Sequence, residues 1–228
     1  MYRERRSLLD GAVVWTAAAA PQAEQGRVLP DGCMDLIWDG ERVLVAGPDT
    51  VGHLVTRTAG TRYTGLRFPP GTGPAVLGVP AHELRDRRLP LDRLWPGGQA
   101  RVLAERIAEG TDPARVLEAA AARRLRAGPP DPAYRAVAAA LGDGRRVPAV
   151  AAVLGVSERQ LHRRCLAAFG YGPKTLARIL RMERALDLAR AGTPAATVAA
   201  EAGYADQAHL SREVAALAGV PLGVLLAR

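Results

Sequence analysis

The spacing of apolar and polar positions along this chain changes near residue 70. Between residues 13 and 68, short apolar runs alternate with turns rich in Gly and Pro, which is typical of β-strands. The pair Asp39-Gly40 follows the run MDLIW and predicts a hairpin at that point. Short strands at this spacing predict a small β-rich domain, either a barrel or a cupin-like sandwich.

Beyond the segment PPGTGP the apolar positions take a helical period. Pro113 and Pro132 stand where the first turn of a helix tolerates proline. Helices are predicted over 81–86, 99–109, 113–126 and 132–141. The chain is therefore predicted to be α+β, with a β-rich domain over 1–80, a helical linker region over 81–143 and an all-α domain over 144–228.

The segment that begins at Val147 has the pattern of a helix-turn-helix. A short helix runs into Gly155, which suits the tight turn between two helices. Ser157 and Gln160 form a capping box that opens the second helix. The apolar residues of that helix follow the i, i+4, i+7, i+8 spacing of one buried face, which consists of Leu161, Cys165, Ala168 and Phe169.

The other side of this second helix carries side chains suited to DNA. Arg159 and Arg163 lie opposite the apolar face, and His162 lies on its flank. A helix that is packed on one side and exposes Arg and His on the other can reach base edges in the major groove. We predict that these three residues contact bases. Arg164 lies to one side and is predicted to bind a phosphate.

The same pattern repeats after Thr197. A short helix ends at Gly203, and Asp206 is the predicted N-cap of the next helix, 49 residues after Ser157. The buried face of that helix consists of Leu210, Val214, Leu217 and Ala218. The side chains predicted to reach DNA are Gln207, His209 and Arg212. Two such motifs in register favour DNA binding, and a helical bundle without a nucleic-acid role is the alternative.

Residues 173–191 separate the motifs and are predicted to form one helix that ends at Gly192. At a rise of 1.5 Å per residue, this connector spans roughly 27 Å. With the width of the flanking motifs added, it sets the two recognition helices about 34 Å apart, which is one turn of DNA. One chain is then expected to contact one or two successive major grooves on the same face of the duplex.

The net charge of +8 is concentrated in the C-terminal region. Residues 1–143 hold 19 arginines and 17 acidic residues, a net charge of +2, whereas residues 144–228 hold 12 basic and 6 acidic residues, a net charge of +6. Such an excess suits a partner rich in phosphate. Because the net charge is +7 over 144–190 and −1 over 191–228, the first motif is predicted to supply most of the DNA affinity.

Cysteines and histidines give no sign of a metal or cofactor site. Cys33 and Cys165 are too few for a disulfide framework or a thiolate zinc site. Cys165 is interpreted as structural and Cys33 as a packed thiol, with a reactive thiol or a ligand contact as alternatives for Cys33. His53 and His82 have no carboxylate at metal-ligand spacing, so we predict no metal and no cofactor.

Other polar and aromatic residues of the N-terminal half have simple interpretations. Asp31, Asp35 and Asp39 recur every four residues near a hairpin and are interpreted as a solvated strand edge. The tryptophans at 15, 38 and 95 are interpreted as core residues, with the lining of a ligand pocket as the alternative. The chain contains neither a signal-peptide pattern nor an apolar run long enough for a membrane helix, so a cytoplasmic protein is expected.

The two motifs resemble the DNA-binding domain of the AraC/XylS family of bacterial regulators. The matching residues are LGVS (154–157), Leu161 and Gly170 in the first motif and TVAAEAGYADQAHLSR (197–212) in the second. The family's usual form of the latter is IA…GF.D.SHFSR. Family members usually carry an aromatic residue followed by basic residues where this chain has Glu-Val-Ala-Ala (213–216).

The resemblance extends upstream in two places. Residues 65–95 are similar to the stretch that joins the family's sensory domain to its DNA-binding domain. Residues 29–40, with the pattern LPDGC.DLIWDG, are similar to the N-terminal half of family members that usually have no defined ligand.

The resemblance implies a sequence-specific DNA-binding transcription regulator that is not an enzyme. The implied partners are double-stranded DNA and RNA polymerase, with a small-molecule effector at the N-terminal domain and a homodimer left open. One alternative is a ligand-independent regulator whose N-terminal domain serves dimerisation or partner binding. An enzyme domain fused to a DNA-binding tail would need a convergent catalytic group in residues 1–130, and the sequence shows none.

Overall fold

The computed structural model describes residues 2–19 and 24–227. A β-rich N-terminal part is followed by helices, and this confirms the predicted α+β class. The strands are β1 (Tyr2–Arg6), β2 (Val13–Ala18), β3 (Glu24–Val28), β4 (Met34–Trp38), β5 (Val43–Ala46), β6 (His53–Arg57), β7 (Arg62–Phe68) and β8 (Arg88–Pro90). Short 3-10 turns cover Ala81–Glu83 and Leu91–Arg93.

The helices of the described residues lie almost entirely after the strands. They are α1 (Gly73–Leu77), α2 (Gln99–Glu109), α3 (Pro113–Ala127), α4 (Pro132–Gly142), α5 (Val147–Val153), α6 (Glu158–Phe169), α7 (Pro173–Arg190), α8 (Ala195–Glu201), α9 (Gln207–Ala218) and α10 (Leu222–Leu226). Pro113 and Pro132 open α3 and α4, and the carboxylates of Asp112 and Asp131 accept backbone N–H groups there.

Six strands form one antiparallel sheet in the order β1-β2-β7-β4-β5-β8, and β3 pairs with β6 separately. In β4, Met34, Leu36 and Trp38 are buried on the inner face, while Asp35 faces the other side. The hairpin predicted at Asp39-Gly40 joins β4 to β5 and is confirmed. The Asp39 carboxylate accepts the backbone N–H groups of Glu41 and Arg42 at 3.0 and 2.9 Å.

Strand β1 is not apparent in the sequence because YRERR has no apolar alternation. All five residues are exposed, and the strand is held by backbone pairing with β2 at the edge of the sheet. Arg5 pairs with the buried Glu118 of α3 at 3.0 Å, and that carboxylate also accepts from Ser7 Oγ at 2.7 Å. A polar edge strand is therefore fastened to the helical layer by one buried carboxylate.

The inner face of the six-stranded sheet packs against α1, α2 and α3. Leu36 and Leu66 of the sheet share one buried cluster with Leu103, Ile107 and Leu117 of the helices. Helix α4 belongs to a second cluster with α5–α9, whose buried residues include Val137, Leu141, Leu161, Ile179 and Leu210. The segment 81–143 therefore contributes to both cores, and the predicted domain boundaries stay a prediction.

The helix predicted over 81–86 is wrong beyond Glu83. Only Ala81–Glu83 is helical, as a 3-10 turn, and Asp86 has a left-handed φ of 57°. Its carboxylate accepts the backbone N–H of Thr50 at 2.7 Å and the Thr50 hydroxyl at 2.9 Å. The backbone N–H of Asp86 donates to the Pro48 carbonyl oxygen at 3.0 Å, so the bond that would have continued a helix goes to this distant loop instead.

Candidate nucleic-acid interface

The first helix-turn-helix consists of α5 and α6 and forms as predicted. Gly155 has a left-handed φ of 63° in the turn, where a side chain would strain the backbone. Ser157 and Gln160 make both bonds of the capping box at the start of α6. The predicted apolar face of α6 is buried to 2% exposure or less, so the opposite face is directed to solvent.

The exposed face of α6 holds the predicted base-contacting residues. Arg159, Arg163 and Arg164 are all exposed, and they make no ion pair with the residues that the structure describes. The His162 ring lies beside Gly172, where an added Cβ would be 2.5 Å from the ring carbon Cε1. Three arginines are therefore unpaired at this surface, while the backbone before α7 limits the movement of His162.

The second helix-turn-helix consists of α8 and α9 and also forms as predicted. Gly203 has a left-handed φ of 78°, and the Asp206 carboxylate accepts the backbone N–H of His209 at 2.6 Å. Gln207 and Arg212 are exposed. His209 is turned back toward its own helix start, where its Nδ1 accepts the backbone N–H of Ala205 at 3.2 Å. One ring nitrogen of His209, a predicted DNA contact, is therefore already hydrogen-bonded within the protein.

Glu213 occupies the position on α9 that corresponds to Arg164 on α6, and it holds two arginines of α7. Arg178 donates to both carboxylate oxygens, at 3.0 and 3.1 Å, and Arg181 donates at 3.3 Å. Arg181 also stacks over the Tyr204 ring, with its guanidinium carbon 4.6 Å from the centroid. Burial alone would raise the pKa of Glu213, but the two arginines outweigh it and lower that pKa.

A basic groove runs along α7 from the first motif to the second. Lys174, Arg178 and Arg181 stand at i, i+4 and i+7 and therefore share one face of the helix. They line a cleft of about 390 Å³ together with Arg145 and Arg146 of the turn before α5. Lys174 also lines a neighbouring cleft with Arg159 and His162 of α6, so the groove continues to the first recognition helix.

Sequence reasoning placed these α7 residues in a connector and gave them no role. Their spacing was a usable signal, because three cations at i, i+4 and i+7 form a stripe. Their pairing with Glu213 depends on how α7 packs against α9, and no local pattern in the sequence indicates that contact.

The β-rich part contacts the C-terminal ends of both recognition helices. Arg27 of β3 donates to the carbonyl oxygen of Ala218 at 3.0 Å, and the backbone N–H of Gly52 donates to that of Leu217 at 2.6 Å. At the end of α6, Arg85 donates to the carbonyl oxygen of Gly170 at 3.5 Å. These bonds satisfy carbonyl groups that a helix end otherwise leaves to water. They connect both recognition helices to the β-rich part of the protein.

The remaining predicted residues of the N-terminal half lie in two environments. Trp38 and Trp95 are core residues as predicted, whereas Trp15 lies on the outer face of the sheet and donates to Asp35 at 2.8 Å. Asp31 and Asp35 flank Arg67 there, so these two carboxyl groups are paired rather than solvated. The interpretation of them as a solvated strand edge is wrong, since the fold covers that face.

Cys33 and the histidines show no reactive arrangement. Burial, followed by the Asp31 charge, raises the pKa of the Cys33 thiol, and a protonated thiol is a poor nucleophile. Cys165 is buried in the second core. His53 lies 3.8 Å from Asp49, while no group of three or more His, Cys, Asp or Glu among the described residues could hold a metal ion.

Two family models match separate parts of the chain. Residues 150–228 match a helix-turn-helix domain family, and residues 12–90 match a domain of unknown function, DUF6597. No curated protein matches the chain at a significant level. Within residues 2–19 and 24–227, none of the helices has the length and hydropathy of a membrane span.

Solved structures of ToxT from Vibrio cholerae have the same overall fold. A 1.65 Å structure of ToxT matches over 99% of this chain and 97% of that chain, with 10% identity and a TM-score of 0.50. A ToxT structure with bound unsaturated fatty acid matches over 97% of each chain, with 10% identity and a TM-score of 0.47. At such identity the likeness concerns the fold alone. The domain match and the paired motifs show that residues 150–228 are an AraC-type helix-turn-helix domain, the kind of DNA-binding domain found in the AraC family of transcription regulators.

Proposed function

We propose that this protein regulates transcription by placing α6 in one major groove of DNA and α9 in the next groove on the same face. The observation that carries the proposal is the exposed face of α6, where Arg159 and Arg163 are unpaired within the described residues opposite a fully buried apolar face. Arginine binds the O6 and N7 acceptors of guanine in a bidentate manner, which gives the surface a means of distinguishing base pairs.

The groove along α7 supports simultaneous contact by both motifs. The helix has 18 residues, and at 1.5 Å per residue it spans roughly 27 Å. Between two successive major grooves the duplex presents a phosphate backbone, and Lys174, Arg178 and Arg181 lie between the two recognition helices. We propose that these cations bind that backbone while α6 supplies most of the base contacts.

The test is a selection of bound duplexes from a random pool with the full-length chain, followed by affinity measurements over a range of salt concentrations. We expect one enriched motif, and we expect Arg164→Ala and Arg178→Ala each to reduce the slope of log affinity against log salt by about 0.9. Arg126→Ala, which removes an exposed arginine of α3, is the matched control and should leave the slope unchanged. Failure to enrich any sequence would contradict the proposed specificity.

Control by an effector is part of the proposal. The inner face of the sheet is filled with apolar side chains, whereas a cavity of about 510 Å³ separates its outer face from α7. That cavity favours effector control over the alternative, a ligand-independent regulator whose N-terminal domain dimerises or binds a partner protein. RNA polymerase and a second copy of the chain remain proposed partners, and we propose no catalytic activity.

The regulatory role is also testable in cells. Genome-wide mapping of the bound sites tests the role as a regulator, because bound sites should then lie in promoter regions. Binding spread evenly over genes and promoters would contradict it.

A further inference from the structure

The loop before β6 (residues 47–52) contacts both recognition helices. Near its start, the Pro48 side chain lies against Gly170, where an added Cβ would be 2.5 Å from the Pro48 Cγ. At its end, the backbone N–H of Gly52 donates to the Leu217 carbonyl oxygen at 2.6 Å. Gly170 follows the last residue of α6, and Leu217 lies in the last turn of α9. One short loop therefore joins the C-terminal ends of the two helices.

The loop before β6 is itself held in place by β8 and the residues before that strand. Arg88 of β8 donates to the Asp49 carboxylate at 2.8 Å, and Asp49 is only 7% exposed. The backbone N–H of Asp86 donates to the Pro48 carbonyl oxygen at 3.0 Å, and the Asp86 carboxylate binds Thr50 as described above. Since these bonds fix the loop along most of its length, its contacts with α6 and α9 have a firm base.

Helix α7 provides the other connection between the recognition helices. It begins at Pro173, shortly after α6 ends, and it packs in the same buried cluster as α6 and α9. Packed helices can slide and tilt against one another by small amounts. Contact through α7 alone leaves α9 free to tilt relative to α6. A second connection at the C-terminal ends, through the loop before β6, opposes that tilt.

We propose that the loop before β6 is a positioning element that sets the angle and separation of α6 and α9, and thereby the number of base pairs that must separate their two half-sites. The inference rests on the proposed function, in which the two helices occupy successive grooves. Pro48 and Gly52 act at the C-terminal ends of the helices, whereas the predicted base contacts Arg163 and Arg212 lie in their first halves. The loop thus acts through the helices and touches no base.

Spacing is a sensitive readout of this role. Each base pair inserted between the half-sites moves the second one by about 3.4 Å along the duplex and rotates it by about 34–36°. A pair of helices held at a fixed angle meets both half-sites at one spacing only. A pair that can tilt meets them at neighbouring spacings as well. The loop before β6 therefore adds specificity without a base contact of its own.

The test on DNA starts from the selected duplex and inserts or deletes one or two base pairs between the half-sites. Gly52→Ala places a methyl group where the backbone of α9 leaves no space, whereas Gly128→Ala, the matched control, adds one with no atom within 4 Å. In wild type and in the control, a two-base-pair insertion should reduce affinity by about tenfold. In Gly52→Ala the same insertion should reduce affinity by about threefold or less.

Arg27→Ala is a second variant that leaves the backbone of the loop unchanged. It removes the bond from Arg27 to the Ala218 carbonyl oxygen, which supports the same end of α9. We expect a weaker relaxation of the spacing preference than in Gly52→Ala, and none in the control Arg126→Ala. A duplex that carries only the first half-site should bind all four variants within about twofold of wild type. Equal insertion penalties in wild type, Gly52→Ala and Arg27→Ala would overturn the proposal, because a purely structural role would weaken binding to every duplex alike.

The position of the helices is also measured without DNA. Spin labels at Arg159→Cys and Ala208→Cys, two exposed and corresponding positions of α6 and α9, report the distance between the helices. The full-length chain carries Cys33→Ala for this purpose, and Cys165 is 1% exposed and therefore protected from labelling. We expect a narrow distance distribution, and a broader or displaced one when Gly52→Ala is added. An unchanged distribution would overturn the positioning role.

The two measurements separate this inference from the proposed function. If scrambling the second half-site leaves the affinity of the wild-type chain unchanged, binding to two grooves is contradicted. The distance distributions then still decide whether the loop positions α9. If both half-sites are needed but Gly52→Ala alters neither the distances nor the insertion penalty, the proposed function stands and the positioning role of the loop fails.

Discussion

The two helix-turn-helix motifs share a framework and differ in their surfaces. Both recognition helices have 12 residues, begin after a side-chain N-cap and end at a left-handed glycine. Aligned from their N-caps, the buried Leu161 and Cys165 correspond to the buried Leu210 and Val214. The exposed positions Arg159, His162, Arg163 and Arg164 correspond to Ala208, Ser211, Arg212 and Glu213. The same spacing of buried residues thus forms both motifs, whereas most of the exposed residues of α6 that would touch DNA are different in α9.

The difference in net charge between the two motifs is smaller in the folded protein than a count along the sequence indicates. Counting along the sequence assigns Arg178 and Arg181 to the first motif, because they precede residue 191. In the folded protein their guanidinium groups lie on Glu213 of α9, within the second motif. The arginines of α7 therefore offset the negative charge of the second motif. Binding of that motif to phosphate depends on α7 as much as on α9.

The largest expected effect is on stability, and it should be the same for both motifs. Leu161→Ala and Leu210→Ala each remove a side chain that is 1% or less exposed, so each should cost about 2–5 kcal/mol of unfolding free energy. Urea denaturation measures both, with Arg163→Ala as a surface control. Because both leucines belong to one cluster, two separate transitions in either variant would contradict a single C-terminal core.

The second largest effect is on DNA recognition, and it should differ between the motifs. It concerns the arginines at corresponding positions of α6 and α9. Arg163→Ala should reduce discrimination at one base pair by about 1–3 kcal/mol, and Arg212→Ala should cost less because its neighbours on α9 are uncharged or acidic. Binding to operator variants and footprinting measure this, with partial protection expected over the second groove. Equal losses, together with full protection of both grooves, would show that backbone and helix-end contacts hold the second motif in place.

A smaller and equal effect is expected at the two N-caps. Ser157→Ala and Asp206→Ala each remove a side-chain acceptor of a backbone N–H at a helix start, and each should cost about 1 kcal/mol of stability. Ser211→Ala, at an exposed position on α9, is the control and should change stability by less than about 0.5 kcal/mol. A cost confined to one motif would mean that other contacts already fix the start of the other recognition helix.

The smallest effect is expected from Glu213→Gln, and it depends on pH. The pKa of Glu213 is lowered from 4.5 in the folded protein, so its pairing stabilises the fold above pH 4.5 and is lost as pH falls below that value. At pH 7 the substitution should cost less than about 1 kcal/mol, because the arginines are partly exposed. The difference between variant and wild type should shrink as pH falls below 4.5. A constant difference across this range would exclude a contribution from the carboxylate charge.

Elements with local signals were predictable from the sequence. The capping box at Ser157, the Asp206 cap and the left-handed glycines depend on neighbouring residues, so their boundaries follow from short patterns. The apolar face of α6 follows from spacing alone. The 3-10 turn at Ala81–Glu83 departs from prediction because Asp86 bonds to Thr50, a residue far away in the sequence.

The side-chain contacts that the sequence did not indicate depend on tertiary packing. Nothing near Arg27 in the sequence indicates that it meets Ala218, and nothing near Glu213 indicates Arg178. Asp35 looks like a solvated strand residue in sequence, yet burial raises its pKa to about 6 beside Arg67. Charge counting fails for the same reason, since it follows the order of residues rather than their positions in space.

Gly52 approaches the end of α9 so closely that an added Cβ would lie 2.6 Å from the Ala218 carbonyl oxygen. No larger residue fits there unless the loop before β6 or the helix moves. A chimera that joins residues 144–228 to another sensory domain would lose both the Gly52 amide and the Arg27 guanidinium, leaving the last carbonyls of α9 to water. A graft that is meant to preserve the geometry of α9 therefore has to carry β3 and the loop before β6 along with the helix.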